Sequence, residues 1–242
     1  GTEAYYSFDY GNVHFVCLDS YDTDRATGGA MLTWLESDLA ATAQDWIIAF
    51  WHHPPYTKGS HNSDTEIEHM EMRANALPIL EDYGVDLTLG GHSHVYERTF
   101  LIAGHYGLSG TWNEAEHIVD GGNGRTDGDG AYFKRFFKAP QDGAVHITAG
   151  SGGQLSSSHG LNHPAHFYAV RERGSIVIDV NGGTMEVKFL RETGAVDDYF
   201  TLTKDVSVGG LPGLPAAGPF TLLLGIVSLL LCGVAFVYRR AK

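Results

Sequence analysis

The sequence predicts an α/β domain followed by an apolar C-terminal segment. Three observations predict it. Apolar runs and amphipathic stretches alternate through the first 90 residues, the order that builds a sheet with crossover helices. From Ala144 to Lys204 the texture changes to short strands divided by turn residues, which read as antiparallel. Phe220 to Tyr238 then forms a stretch of 19 residues with no charge.

Tyr5–Asp9 and Val13–Asp19 flank Gly11-Asn12, a turn between two strands. In Gly29–Thr42, Leu32, Leu35 and Leu39 recur three and four apart, with Glu36 and Asp38 off that face. That spacing is helical. WIIAFW, Trp46–Trp51, is a continuous apolar run suited to a strand buried on both faces. Met70, Ala74, Leu77 and Leu80 mark Glu66–Asp82 as helical, with Pro78 expected to kink or split it. Gly84 ends that helix, and Val85–Leu89 is the next buried strand.

After Arg98 comes DGGNGRTDGDG, Asp120–Gly130. It lacks the register of a calcium loop and reads as a surface loop. AVHITAG, SIVIDV, TMEVKFL and YFTLT follow as strands, the middle two joined by Asn181-Gly182-Gly183, a hairpin signal. The domain so defined covers 1–205, with 206–219 a Gly/Pro-rich linker, 220–238 a transmembrane helix and 239–242 a basic tail. A helix of that length spans ~28 Å, close to the ~30 Å hydrocarbon core. The basic tail is expected in the cytoplasm, leaving the domain anchored on the extracytoplasmic face. LPGLPAAG, the apolar run and the basic end also resemble bacterial cell-surface sorting tails, without meeting the LPxTG or PEP consensus.

Net charge is −13, and the three cations of the last residues, Arg239, Arg240 and Lys242, leave the rest of the chain at −16. So acidic a domain is not built to neutralise phosphates of nucleic acid. Cys17 and Cys232 lie in separate segments and are expected to form no disulfide. The chain begins at Gly1 without a signal-peptide pattern and enters almost directly into YYSFDYGNVHFVCLD, so a piece of a longer protein is expected.

Histidines gather at strand ends. His52 and His53 end WIIAFW, His61 lies in the following loop, and His92 and His94 follow VDLTL. In α/β sheets ligands bind beyond the carboxyl ends of strands, and neutral imidazole is the commonest metal ligand. Two neighbouring strands ending in histidine therefore point to a metal in one crevice. His53 reads as a partly exposed structural histidine. His159, His163 and His166 read as loop histidines, and Glu97 and Arg98 as structural.

GGHSHVYER resembles the GHxH-Tyr-Glu-Arg motif of calcineurin-like metallophosphoesterases in the purple acid phosphatase branch, and AFWHHPPY resembles that branch's strand ending in His-x-Pro-x-Tyr. YYSFDYGNVHFVCLDS, AVHITAGSGG and VDDYFTLTK extend the resemblance over about residues 4–204, with 143–204 similar to the branch's C-terminal segment. It implies a four-layer α/β/β/α sandwich with two metal ions about 3.5–4 Å apart, iron with zinc, manganese or a second iron. By motif, His52 and His92 would hold one ion and His94 the other. His61 would contact substrate phosphate and act as the acid, and Asn62 stands where a plant-type site keeps a second histidine. The reaction implied is metal-assisted hydrolysis of phosphate monoesters on small molecules. A phosphodiesterase or nucleotidase on the same fold, or a non-catalytic surface protein, are the alternatives. The family's DxH-like, GDxxY and GNH[DE] motifs are absent, and GNVH, Gly11–His14, resembles the last only superficially. The resemblance thus implies about half of the metal ligands, and the chain alone is expected to be inactive.

Overall fold

The computed structural model describes residues 1–135 and 140–204, together with the extended backbone of 226–229 and 234–238. The first hairpin is β1 (Tyr6–Tyr10) and β2 (Val13–Cys17), antiparallel across the Gly11-Asn12 turn. Helix α1 (Ala30–Ala41) crosses to β3 (Trp46–Phe50), parallel to β2. A second helical crossover leads to β4 (Leu87–Gly90), parallel to β3. It comprises α2 (Ile67–Glu71), a π-helical turn (Met72–Ala76) and α3 (Leu77–Asp82). The run is divided, as expected around Pro78, with the break a π-helical turn just ahead of the proline. Pro78 sits in the first turn of α3, where its missing N–H costs little, and the π turn just upstream absorbs the misfit.

Seven strands make the first sheet, in the order β1-β2-β3-β4-β9-β5-β10, with β5 (Tyr96–Thr99), β9 (Val145–Ala149) and β10 (His166–Val170) completing it. The short pair β6 (Leu101–Ile102) and β7 (Ile118–Asp120) stands apart. The second sheet holds β8 (Tyr132–Lys134), β11 (Gly174–Asn181), β12 (Thr184–Arg191) and β13 (Val196–Lys204). The hairpin between β11 and β12 turns at Gly182, as its sequence predicts.

Two apolar interiors result. Val13, Phe15, Ile48, Leu87 and Ile147 of the first sheet meet Ile176, Ile178, Val187, Phe189 and Leu202 of the second. On the other face of the first sheet, Val16, Ile47 and Ala49 meet Leu32, Leu35 and Leu39 of α1 and Met72, Ala76, Leu77 and Leu80 of the second crossover. The described residues therefore form three layers, α/β/β, where the sequence resemblance implied four. The outer face of the second sheet carries Asp179, Glu186 and Lys188, partly exposed, and no helix among the described residues covers it.

The expected membrane span, 220–238, lies largely outside the described residues, as does Cys232. Its two described pieces are extended rather than helical: β14 (Ile226–Leu229) and β15 (Val234–Tyr238) extend the second sheet in the order β14-β15-β11-β12-β13-β8, with β15 parallel to β11 and antiparallel to β14. Among the described residues no helix is long and apolar enough to cross a membrane.

Candidate metal centre

The β3–β4 ladder continues past both strands. The Trp51 amide donates to Leu89 O at 3.1 Å, and the Gly91 amide to His52 O at 2.9 Å. His52 and His92 therefore leave the sheet side by side, with His52 Nε2 and His92 Nδ1 3.0 Å apart. The glycines of the motif make room for this. A Cβ on Gly90 would lie 2.7 Å from Pro54 Cβ, and one on Gly150 would lie 2.1 Å from Ser93 O. His92 itself takes φ +53°, a left-handed conformation uncommon for a side-chain-bearing residue and concentrated at functional sites.

A second loop closes over the first. Thr57 Oγ1 donates to Ser93 Oγ at 2.9 Å, the His94 amide donates to Ser60 Oγ at 2.8 Å, and the Lys58 amide donates to Glu97 Oε1 at 2.9 Å. This clasp brings His61 against His92, ring centroids 3.7 Å apart. Glu66, at the start of α2, reaches into the same place. Its Oε2 lies 2.8 Å from His61 Nδ1, 3.4 Å from His92 Nε2 and 3.8 Å from His69 Nε2. Its Oε1 accepts from the Asn62 amide at 3.0 Å. From the same helical run, His69 Nδ1 donates to Pro54 O at 2.6 Å. Four residues on, the buried Arg73 donates to Pro55 O at 2.7 Å and Ser63 O at 2.9 Å. The i, i+4 spacing puts both side chains on one face, so the helix holds the backbone of the histidine-bearing loop.

Two groups of ligand atoms, each within 4.8 Å of one another, could hold an ion: His52, His53 and His92, and His61, Glu66 and His92. His94 lies outside both; its Nδ1 is 2.9 Å from Ser156 Oγ. His53 is not the partly exposed residue expected. It is 2% exposed, because Pro54 turns the chain and Ser20 Oγ takes its ring at 2.9 Å. Glu66 and His69 were not singled out by sequence reading.

The electrostatics favour ligation. Burial, then the neighbouring His61, His69 and His52, push His92 down to about 4. Burial and the nearby His92 bring His53 to about 3, and burial followed by His61 and His94 lowers His52. Neutral imidazoles with free lone pairs are what a cation needs. Burial raises the Glu66 carboxyl, but the Asn62 amide and His61 outweigh it and hold it at about 2, ionised.

Other histidines and acids are structural. His14 is buried in mid-strand between Asp9 (2.7 Å) and Asp38 (2.9 Å), away from the strand ends. His163 lies in a loop as expected, buried against Tyr56, whereas His166 is not a loop residue but the first of β10. In the Asp120–Gly130 loop, Asp127 pairs with Arg125 and Asp129 accepts from the Asn123 amide, as in a surface loop. Arg98 and Asp198 form a buried pair joining the two sheets.

Residues 1–96 match the model of the calcineurin-like phosphoesterase family. The calcineurin-like match takes in β1 to β4 and all of His52, His61, Glu66, His69, His92 and His94. Purple acid phosphatases are among the relatives. Purple acid phosphatase 23 of Arabidopsis thaliana is 37% identical over 126 residues, 50% of this chain and 26% of that protein. An uncharacterised Mycobacterium tuberculosis protein is 26% identical over 248 residues, 83% of this chain and 45% of that one. The structure of purple acid phosphatase PPD1 from yellow lupin seeds superposes with a TM-score of 0.62 at 20% identity, covering 88% of this chain and 36% of that one. At that identity the likeness is one of fold. The chain spans about a quarter of the length of the curated purple acid phosphatases it matches.

The buried histidines make stability fall in acid. Burial first of all lowers His53 and His146 to about 3 and His92, His105 and His166 to about 4. Below pH 6.5 the unfolded chain takes up protons on these five rings while the folded chain does not. Stability therefore drops as pH falls from 6.5 towards 4. Glu81 and Glu97, raised by burial to about 7, act in the opposite direction between 4.5 and 7, but two carboxyls do not offset five rings. Thermal melting in chelator should give a midpoint several degrees lower at pH 5 than at pH 6.5. An unchanged midpoint would contradict the burial of these rings.

Proposed function

We propose that the intact protein hydrolyses phosphate monoesters at a dinuclear metal centre, with His52 and His92 on one ion and His94 on the other. The reading is carried by one observation: adjacent parallel strands deliver two imidazole nitrogens to within 3.0 Å of each other. Nitrogens bound to one zinc-sized ion lie about 3.3 Å apart in a tetrahedral site with ~2.05 Å bonds, so this pair closes on an ion with almost no movement. When bound, the ions supply charge neutralisation on the phosphoryl oxygens and an activated water. Their identity, iron with zinc, manganese or iron, rests on the sequence resemblance alone.

His61 contributes orientation and a proton. Glu66 holds its Nδ1 at 2.8 Å, so the opposite ring nitrogen, Nε2, turns away from the carboxylate. In its protonated form the ring offers Nε2–H to a phosphate oxygen or to the departing alkoxide. Asn62 has its backbone amide tied to Glu66 and its Oδ1 to the Asp64 amide, which leaves Nδ2 to donate a hydrogen bond to substrate. The expected result is hydrolysis of p-nitrophenyl phosphate by the intact protein that stops on chelation and returns with added metal. Turnover that survives exhaustive chelation would refute this reading.

A further inference from the structure

Among the described residues every lysine and arginine has a carboxylate within 4.0 Å except Arg171 and Arg173. Two cations without an acid stand out in a chain with 29 acids and 16 cations. Both residues are exposed, and one loop holds both. Arg171 Nε donates to the Ser156 carbonyl oxygen, and Arg173 Nη1 donates to Gly153 O at 3.5 Å. Ser156 in turn sets its hydroxyl oxygen 2.9 Å from His94 Nδ1. One serine thus touches a candidate metal ligand with its side chain and Arg171 with its carbonyl. The sheet reinforces this placement. β10 runs antiparallel to β5 with Val170 opposite Tyr96, so the segment carrying the two arginines leaves the sheet beside the segment carrying His94.

A carbonyl on Nε leaves both terminal nitrogens of Arg171 to donate, in the planar fork that grips a phosphate through two parallel hydrogen bonds. With no carboxylate in competition, the pair is open to an anion that arrives with the substrate. The acidity of the rest of the domain makes these two charges a local attractor. That anion is not the phosphate undergoing reaction. Nδ1 of His94 is turned to Ser156, so an ion would meet the other side of the ring. The ring and the span of Ser156 then stand between that ion and Arg171. We propose that Arg171 and Arg173 form an anion subsite at the rim of the metal centre, which selects phosphate monoesters carrying a second phosphate on the same carbon skeleton, as a sugar bisphosphate does. The subsite rests on the phosphate-monoester reading above. In the reaction, water adds its oxygen to one phosphorus, the bond from that phosphorus to the sugar oxygen breaks, and the sugar oxygen leaves with a proton. The second phosphate stays on the sugar and on the arginines, and its binding lowers KM.

The test is phosphate release by the intact, metal-loaded protein from fructose 1,6-bisphosphate and from fructose 6-phosphate, with p-nitrophenyl phosphate as the reference substrate. Wild type should favour the bisphosphate by at least about tenfold in kcat/KM, mostly through KM. With Arg171→Met and Arg173→Met combined, that ratio should fall to about twofold, the factor left by having two esters on one molecule. Both sugars meet the same metals, so a general loss of activity cancels in the ratio. Should the double variant release no phosphate at all, Arg171→Met alone decides by the same ratio. A wild-type protein without the preference overturns the subsite, and so does a preference that survives the substitutions; in either case hydrolysis of p-nitrophenyl phosphate leaves the monoester reading standing. Failure of wild type to hydrolyse p-nitrophenyl phosphate overturns that reading and the subsite with it.

Discussion

Substituting alanine for His92 is expected to cost at least about 10³-fold in kcat/KM for p-nitrophenyl phosphate in the intact protein, or about 4 kcal/mol of transition-state stabilisation. His92 is the residue common to both groups of ligand atoms. One of its ring nitrogens faces His52 and the other faces Glu66. Its position comes from a left-handed backbone just past the end of β4. The substitution should leave folding nearly intact, since the ring is partly exposed and carries like-charge repulsion when protonated. A folded His92→Ala variant that turns over within tenfold of wild type would remove the strand-end histidines from the mechanism. His94→Ala is expected to behave alike, although His94 meets Ser156 rather than the other rings.

The largest expected effect on stability comes from Arg98. Its Nε donates to Asp198 Oδ2 at 2.6 Å and its Nη2 to Oδ1 at 2.9 Å, and Tyr96 donates to the same carboxylate at 2.7 Å. The guanidinium also lies 4.4 Å from the Phe167 ring and 4.9 Å from Phe200. Burial opposes the Arg98 charge, but Asp198 outweighs it and pushes the guanidinium pKa above its ordinary range. Arg98→Ala leaves Asp198 buried without its counter-charge, which costs about 3–5 kcal/mol. For a domain of this size that lowers the melting midpoint by roughly 2–4 °C per kcal/mol. Replacing both partners with apolar residues of similar volume should restore most of the loss. Denaturant unfolding of the single and double variants measures it. A loss below 1 kcal/mol in Arg98→Ala would show that the pair does not tie β5 to β13.

Much of this architecture was legible in the chain. WIIAFW and VDLTL stood out because strands buried on both faces must be apolar throughout, and α1 because Leu32, Leu35 and Leu39 must share one face. Histidines directly after two such strands placed the candidate site. What escaped was tertiary. Nothing local distinguishes Glu66 or His69 from the other polar residues of an amphipathic helix; only the fold of the 54–63 loop over the helix start turns them inward. His53 was misjudged as partly exposed because the Ser20 hydroxyl that covers it comes from after β2, 33 residues earlier. Pro78 marked the division of the helical run, but not its form, a π turn placed just ahead of the proline.

The continuation of the β3–β4 ladder through Trp51 and Gly91 has a consequence for tolerance to change. The gap between His52 and His92 is inherited from the interstrand spacing of about 4.8 Å, not from the 36 residues, 51–86, that connect β3 and β4. Insertions or deletions in that connection can alter which groups lie above the pair without altering the pair. The two imidazoles are gauged by the sheet itself, and they separate only when its central strands do, at close to the free energy of global unfolding.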